Sequence, residues 1–496
     1  MTQRVHFVDL TLRDGQQSLA ATRMTTEQAL RVLPLLNDAG YEAFELWGGA
    51  TLDSSIRFLA EDPWERLDRF HATLGTSQRT RILLRGQNLF AYQPFPDDLV
   101  IAVIKEAIRS GVGIVRIFDA LNDWRNLQLA LLATKAYGGK AEAALSYTTS
   151  PVHTTDYFVE LARTFEEEGA DQIAIKDMAG LLYPTEAFNF FDALKRHLHV
   201  PLVFHSHTTT GVATLNAVIA MNAGIDAIDT AITPFAGGSS HPPVEILIVF
   251  AEEMGLDHGL DKDLILRIQH TLFEMFKELH STIPLYGKYY QPVTYDDVDR
   301  HIVQQILTRL QRHSETDIHE AITMMRELMC HLHYPPYDDA IFEAQIPGGM
   351  LSNLQNQLKQ MQKLDLLDAI TQEIPRVRAD VGYVPLVTPT SQIVGAQATF
   401  NVMMGRYQMV SNEFKMLLRG EFGRLPAPPN PEVVKQVLGS EESLLRYRPA
   451  SYLMPVLEDS YDLPYIKTHR DLLLHLMLKQ PADDFLKKKY GICNDH

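Results

Sequence analysis

Across the first 260 residues, eight short β-branched or apolar runs recur between longer stretches of helical periodicity, each ending in polar or glycine residues. They are His6 to Leu10, Ala43 to Leu46, Arg81 to Leu84, Ile114 to Phe118, Ala143 to Tyr147, Gln172 to Ile175, Leu202 to His205 and Ala227 to Ile232. A doubly wound sheet more often stops at five or six strands. Eight strands alternating with helices predict an α/β fold of the (β/α)8 TIM-barrel type over 1–260. After Asp257 the β signal fades, and Leu351, Leu354, Leu358 and Met361 form a stripe at helical spacing. A mostly helical C-terminal domain is therefore expected over 261–425, with an inserted helical pair near 289–336 (Ile302 to Leu310 and Ile318 to Met329). The Pro-rich RLPAPPNPEVV (424–434) reads as a surface connection, and a small helical unit is expected over 426–496.

With 496 residues, of which 46% are hydrophobic, the chain can bury two or three cores, which excludes disorder as its main state. A net charge of −17 without clustered Lys and Arg excludes a nucleic-acid partner, because phosphate backbones require such clusters. The cysteines, Cys330 and Cys493, make neither a zinc knuckle nor a disulfide scaffold, which fits a reducing cytoplasm. Apolar residues never run 18 together, so a cytoplasmic chain is expected, touching a membrane only through partner subunits.

In a barrel of this kind the chemistry sits at the C-terminal ends of the strands. The first strand ends in Leu12 to Gln17, the sixth in Lys176 and Asp177, and the seventh in His205, Ser206 and His207. Positions i and i+2 of a strand share a face, so His205 and His207 can present two imidazoles to one point. Asp14 supplies a hard oxygen from a strand two places away around the closed sheet. Two neutral imidazoles and a carboxylate suit zinc, manganese or cobalt better than magnesium or calcium. Two unrelated histidines and a capping aspartate are the plainer alternative. Arg13 can pair with a buried acid or touch substrate. Lys176 can form a salt bridge with Asp177, act as a Schiff-base nucleophile, or, carbamylated by carbon dioxide, bind metal as an anion. The residues alone do not choose.

Taken together these stretches resemble one family: the carboxyltransferase domain of pyruvate carboxylase, the transcarboxylase keto-acid subunit and, most of all, the oxaloacetate decarboxylase alpha subunit. The matching segments are LRDGQQSLAATRM (12–24), ELWGGATLDSSIRFLAEDPWERL (45–67), LLRGQNLFAY (83–92), RIFDALND (116–123), LSYTTSPVHT (145–154), IAIKDMAGLL (173–182) and FHSHTTTG (204–211). Two more are IPGGMLSNLQNQL (346–358) and IPRVRADVGYVPLVTPTSQIVGAQA (374–398). The resemblance implies that Asp14, carbamylated Lys176, His205 and His207 bind a divalent metal. It implies that Gln17 and Arg85 hold pyruvate or oxaloacetate, and that Asp53 and Tyr92 line a biotin pocket. Without the family, Arg85 ends the third strand at the active face, Asp53 looks like a helix N-cap and Tyr92 like a core aromatic.

Three departures matter. Family members often read RDAHQS where this chain has Arg13 to Ser18, so Gly15 and Gln16 differ; Gly15 is also found in metal-dependent acyl-CoA aldolases and Claisen condensing enzymes, the alternative reading. In PFAGGSSHPPVE (234–245), Ser239 falls where pyruvate carboxylases carry a proton-shuttling threonine, with Ser240 as the fallback. No biotin-attachment motif or biotinyl domain is seen, so carboxybiotin is expected on a separate carrier. Partners would be a biotin carrier protein and a biotin carboxylase or membrane decarboxylase subunit, with the chain as a homodimer.

Overall fold

The structure is a computed structural model that describes residues 3–76, 78–284, 286–337, 354, 358–359, 361–440, 444–457 and 461–492. Eight parallel strands close into a barrel in sequence order: β1 (His6–Asp9), β2 (Ala43–Gly48), β3 (Thr80–Leu84), β4 (Ile114–Phe118), β5 (Lys140–Ser146), β6 (Gln172–Asp177), β7 (Leu202–Ser206) and β8 (Ala227–Thr230). The pairing of β8 with β1, His6 opposite Ala227, completes the ring. Each expected strand is present. Register places the ends of β6, β7, β8 and β1 side by side, because Lys176 lies opposite His205 and Asp9 opposite Thr230.

Most helices between the strands bury one apolar face, whereas Ala213–Asn222 is buried on all sides. Pro63–Leu74 begins under the Asp62 carboxylate, which accepts from the Trp64 and Glu65 amides, and ends at Gly75 with φ +66°.

The helices after the barrel divide between two cores, along lines that differ from the expected units. Arg300–Arg312 and Glu315–His331 form the expected pair, but Val303, Ile306, Ile322 and Met325 join the barrel's core. His469–Leu478 and Gln480–Lys489 return to the same core through Leu473, Leu474 and Ala482. Leu367–Asp380, Thr390–Met404, Asn412–Arg419 and Pro431–Leu438 build a second core around Ile374, Val394, Leu417 and Val434. Leu351 of the helical stripe, most of IPGGMLSNLQNQL and Cys493 lie outside the described residues; Cys330 is free and exposed. Among the described residues no helix is long and apolar enough to cross a membrane.

Candidate metal centre and substrate cavity

The chain leaves β1 in one wide turn, Thr11–Gly15, in which the Gly15 amide reaches back five residues to the Leu10 carbonyl. That turn sets Arg13 and Asp14 side by side at the barrel mouth. Gly15 itself lies against the Phe235 carbonyl, where a Cβ would come to 2.9 Å, so alanine fits poorly at this position.

Asp14, His205, His207 and His241 bring one donor atom each within 4.8 Å of one another. Asp14 Oδ2 lies 3.8 Å from the Nε2 of His205, 3.8 Å from that of His207 and 3.2 Å from that of His241. The far side of each ring is held: Nδ1 meets Asp229 at 2.8 Å in His205, the Ser239 carbonyl at 2.7 Å in His207 and the Ser206 carbonyl at 3.0 Å in His241. Such acceptors fix the proton on Nδ1 and leave the Nε2 lone pair facing inward, the arrangement seen around metal-binding histidines. His241 Nε2 is buried and makes no aligned hydrogen bond, with Asp14 Oδ2 its neighbour at 3.2 Å.

Burial drives the His205 and His207 imidazoles towards the neutral form, His205 well below its ordinary value and His207 down to about 3. Burial alone would raise Asp14, but Arg13 and then His241 outweigh it and hold the carboxyl well below the usual range. Neutral imidazoles beside a carboxylate are the donor chemistry of a borderline divalent ion.

His241 was missed by reading the sequence, although it stands two residues from Ser239 in the same loop. A histidine in the loop that follows the eighth strand was the available signal. Lys176 is buried among these groups, with Nζ 2.9 Å from His205 Nε2, and burial lowers it to about 8. The salt bridge with Asp177 is not formed. Successive residues of β6 face opposite ways, and Asp177 instead accepts from the Leu181 and Leu182 amides and the Ser206 hydroxyl.

Above the cluster lies a cavity of about 790 Å³, walled by the barrel through Arg13, Gln17, Arg85, Lys176 and Ser239 and by the second core through Leu386 and Ser391. Arg13 is committed to Glu45 and Asp14, which decides between its two readings in favour of pairing. Arg85 donates to the Phe90 carbonyl at 2.8 Å, and burial lowers its pKa; among the described residues it pairs with no carboxylate. Gln17 accepts from the Ala50 amide at 3.1 Å, which fixes its side chain at the wall. The Ser239 hydroxyl is exposed to the cavity and donates to the Ser18 carbonyl, whereas Ser240 is buried with its hydroxyl on the Phe235 carbonyl. Asp53 and Tyr92 do not line this cavity. Asp53 pairs with Arg57 inside the first turn of a short helix and is no N-cap. Tyr92, 49% exposed, is no core aromatic; its ring lies 5.3 Å from the Arg85 guanidinium.

Two family models match, one described as "Conserved carboxylase domain" over residues 341–495 and one as "HMGL-like" over 127–272. A pyruvate carboxylase subunit of Methanocaldococcus jannaschii is 40% identical over 488 residues, spanning 97% of this chain and 78% of that protein. The methylmalonyl-CoA carboxyltransferase 5S subunit of Propionibacterium freudenreichii subsp. shermanii is 37% identical over 98% of this chain and 88% of its own length. The carboxyl transferase domain of Rhizobium etli pyruvate carboxylase, solved with pyruvate and biocytin, superposes with a TM-score of 0.79 at 26% identity, over 99% of this chain and 78% of that one. These matches span nearly the whole chain and do not favour an acyl-CoA aldolase or condensing enzyme. The chain belongs to the family of biotin-dependent carboxyltransferases that act on keto acids.

Proposed function

We propose that this chain moves a carboxyl group between carboxybiotin, presented on a separate carrier, and pyruvate or oxaloacetate. The observation that carries the reading is Arg85: a half-buried guanidinium at the cavity wall, without an acid partner among the described residues, beside a cluster of metal-type donors. A guanidinium grips a carboxylate with two parallel hydrogen bonds, and an oxo acid held there would turn its carbonyl towards the cluster. A three-carbon acid fills only a small part of 790 Å³, which leaves space for a bicyclic second reactant.

Asp14, His205, His207 and a carbamate on Lys176 would hold the ion, zinc for preference, with manganese or cobalt also suited. Bound there, a divalent ion supplies Lewis acidity for the enolate oxygen. An amine lowered to about 8 is neutral often enough to attack carbon dioxide, releasing one proton as the carbamate forms. Gln17 orients the acid, and the Ser239 hydroxyl passes a proton from the pyruvate methyl group to the biotin ureido nitrogen as the carboxyl group leaves it. The methyl carbon then forms the new C–C bond to carbon dioxide, and decarboxylation runs these steps backwards. Arg85 stabilises the developing negative charge. Tyr92, whose ring lies beside Arg85, would meet the biotin ring as it enters, whereas a biotin contact for Asp53 rests on the family resemblance alone. A biotin carrier and a carboxylase or membrane subunit are the partners this implies, with a homodimer as the assembly.

The test is pyruvate formation from oxaloacetate by the metal-replete chain with and without free biotin, alongside Lys176→Ala. Stimulation by biotin that the variant loses supports the reading. Metal binding with no effect of biotin sinks it.

A further inference from the structure

The interior of a (β/α)8 barrel is usually filled by branched apolar side chains. Here one layer is charged. Glu45 on β2, Arg81 on β3, Arg116 on β4, Glu142 on β5 and Asp229 on β8 all point inward and are 0–1% exposed, and Arg13 joins them from the turn after β1. The contacts form a continuous chain. Arg13 donates to Asp14 at 2.8 Å and to Glu45 at 2.6 Å, and Arg81 joins Glu45 to Asp229 at 2.9 Å on each side. Arg116 bonds both Glu142 and Asp229. Asp229 Oδ2 then receives Nδ1 of His205 at 2.8 Å.

Between the ends at Asp14 and His205, three guanidiniums meet three carboxylates, Glu45, Glu142 and Asp229, so this stretch of the belt is neutral, as a buried layer must be if no charge is to stand uncompensated. Well-packed apolar residues would fill the same space without that desolvation cost, so stability alone does not account for the belt. Its two ends do: one is Asp14 and the other is His205, both members of the donor cluster.

We propose that Asp229, the belt carboxylate that reaches the donor cluster, is a positioning residue for His205. The inference rests on the metal-centre reading above. Asp229, fixed by Arg81 and Arg116, accepts from the Nδ1–H at 2.8 Å, nearer than the Arg116 guanidinium at 3.2 Å, so that the His205 ring keeps one tautomer and one orientation with its Nε2 lone pair on the cluster. Carboxylates behind metal-binding histidines act in this way, and their loss weakens metal binding by roughly 10- to 100-fold. Glu142 shares the belt and the burial but touches none of the four donors, so it reports what mere loss of a belt charge does.

Zinc affinity, measured by competition with a chromophoric chelator, and the melting temperature of the metal-free chain would be compared for wild type, Asp229→Asn and Glu142→Gln. The charge-neutral pair Asp229→Asn with Arg81→Gln serves if the single variant does not fold. The expected result is a roughly 10- to 100-fold loss of zinc affinity in the Asp229 variants. Glu142→Gln should melt at a similarly lowered temperature and bind zinc as wild type does. Wild-type affinity in Asp229→Asn, or an equal loss in Glu142→Gln, overturns the assignment of Asp229. A wild-type chain that does not bind zinc removes the metal reading itself, an outcome distinct from either.

Discussion

Arg13 and Arg85 both face the cavity, and their partners decide what each does. The sequence leaves Arg13 open between an acid and a substrate, because the answer depends on Glu45, a residue on another strand whose direction is not written locally. That Asp14, Lys176, His205 and His207 would gather at one end of the barrel was legible because strand alternation and strand-end position are local properties. His241 was not, since it sits in a loop whose path is fixed by contacts far along the chain. Among the buried titratable groups, His153 gives a pH prediction away from the donor cluster. Burial, and then the charge of Arg378, depress it from 6.5 to about 3. A base depressed in the folded state contributes its full stability above the unfolded value and loses it as pH falls from 6.5 towards 3, because only the unfolded chain takes the proton. Between pH 7.5 and 5.5 wild type should therefore lose about 1 kcal/mol that His153→Leu does not lose. Urea unfolding of both proteins at the two pH values checks this, and parallel losses count against it.

At the scale of elements, periodicity located every strand but missed several ends. β5 begins at Lys140, three residues before the expected Ala143, because Glu142 is polar yet points into the barrel belt. β8 stops at Thr230, short of the expected Ile232, because Ala231 leaves the sheet to pair with Pro243. The charged layer was hidden because a charged residue in a strand does not say which way it faces: Glu45, Arg116 and Asp229 stood inside the expected runs, Arg81 began one and Glu142 fell outside. The paired helices after residue 299 begin under Asp299 and Ser314, capping residues that lie outside the apolar stripe. That pair bears on the loop holding Ser239 and His241. The Tyr334 hydroxyl meets Thr233 Oγ1 at 2.6 Å, and its ring lies under Gly237, where a Cβ would come within 2.5 Å at φ +74°. Tyr334→Phe keeps the ring and leaves one buried hydroxyl without its partner, a cost of about 1–3 kcal/mol that urea unfolding would register with turnover largely retained. Gly237→Ala must move the loop, and with it the Ser239 carbonyl that holds His207. Turnover should fall much further in Gly237→Ala than in Tyr334→Phe, and equal turnover would refute this account of the loop.

For the molecule as a whole, an apolar stripe in the sequence says that a helix is covered but not by what. Arg300–Arg312 and His469–Leu478 read as parts of separate helical units, yet both cover the barrel, because the partner face is set by the chain's path in space. The second core has its own interior and meets the barrel through a polar joint. Arg378 Nη2 donates to Thr148 Oγ1 at 2.9 Å, Asn126 Nδ2 to the Phe422 carbonyl at 2.9 Å, and the Arg424 amide to Asp123 at 2.7 Å. The cavity lies between the two bodies, so this joint fixes the distance between Arg85 on one wall and Ser391 on the other. Arg378→Met removes the longest strut and strands the buried Thr148 hydroxyl and Val384 carbonyl, a loss of about 1–3 kcal/mol for each group left unsatisfied. That loss falls on the joint and the second core, while the barrel keeps its own closed sheet. Calorimetry of the variant should therefore show the second core melting ahead of the barrel as a separate shoulder, with KM for the oxo acid raised and the barrel transition unmoved. A single transition displaced as a whole would mean that the two cores unfold as one cooperative unit and that Arg378 acts on all of it.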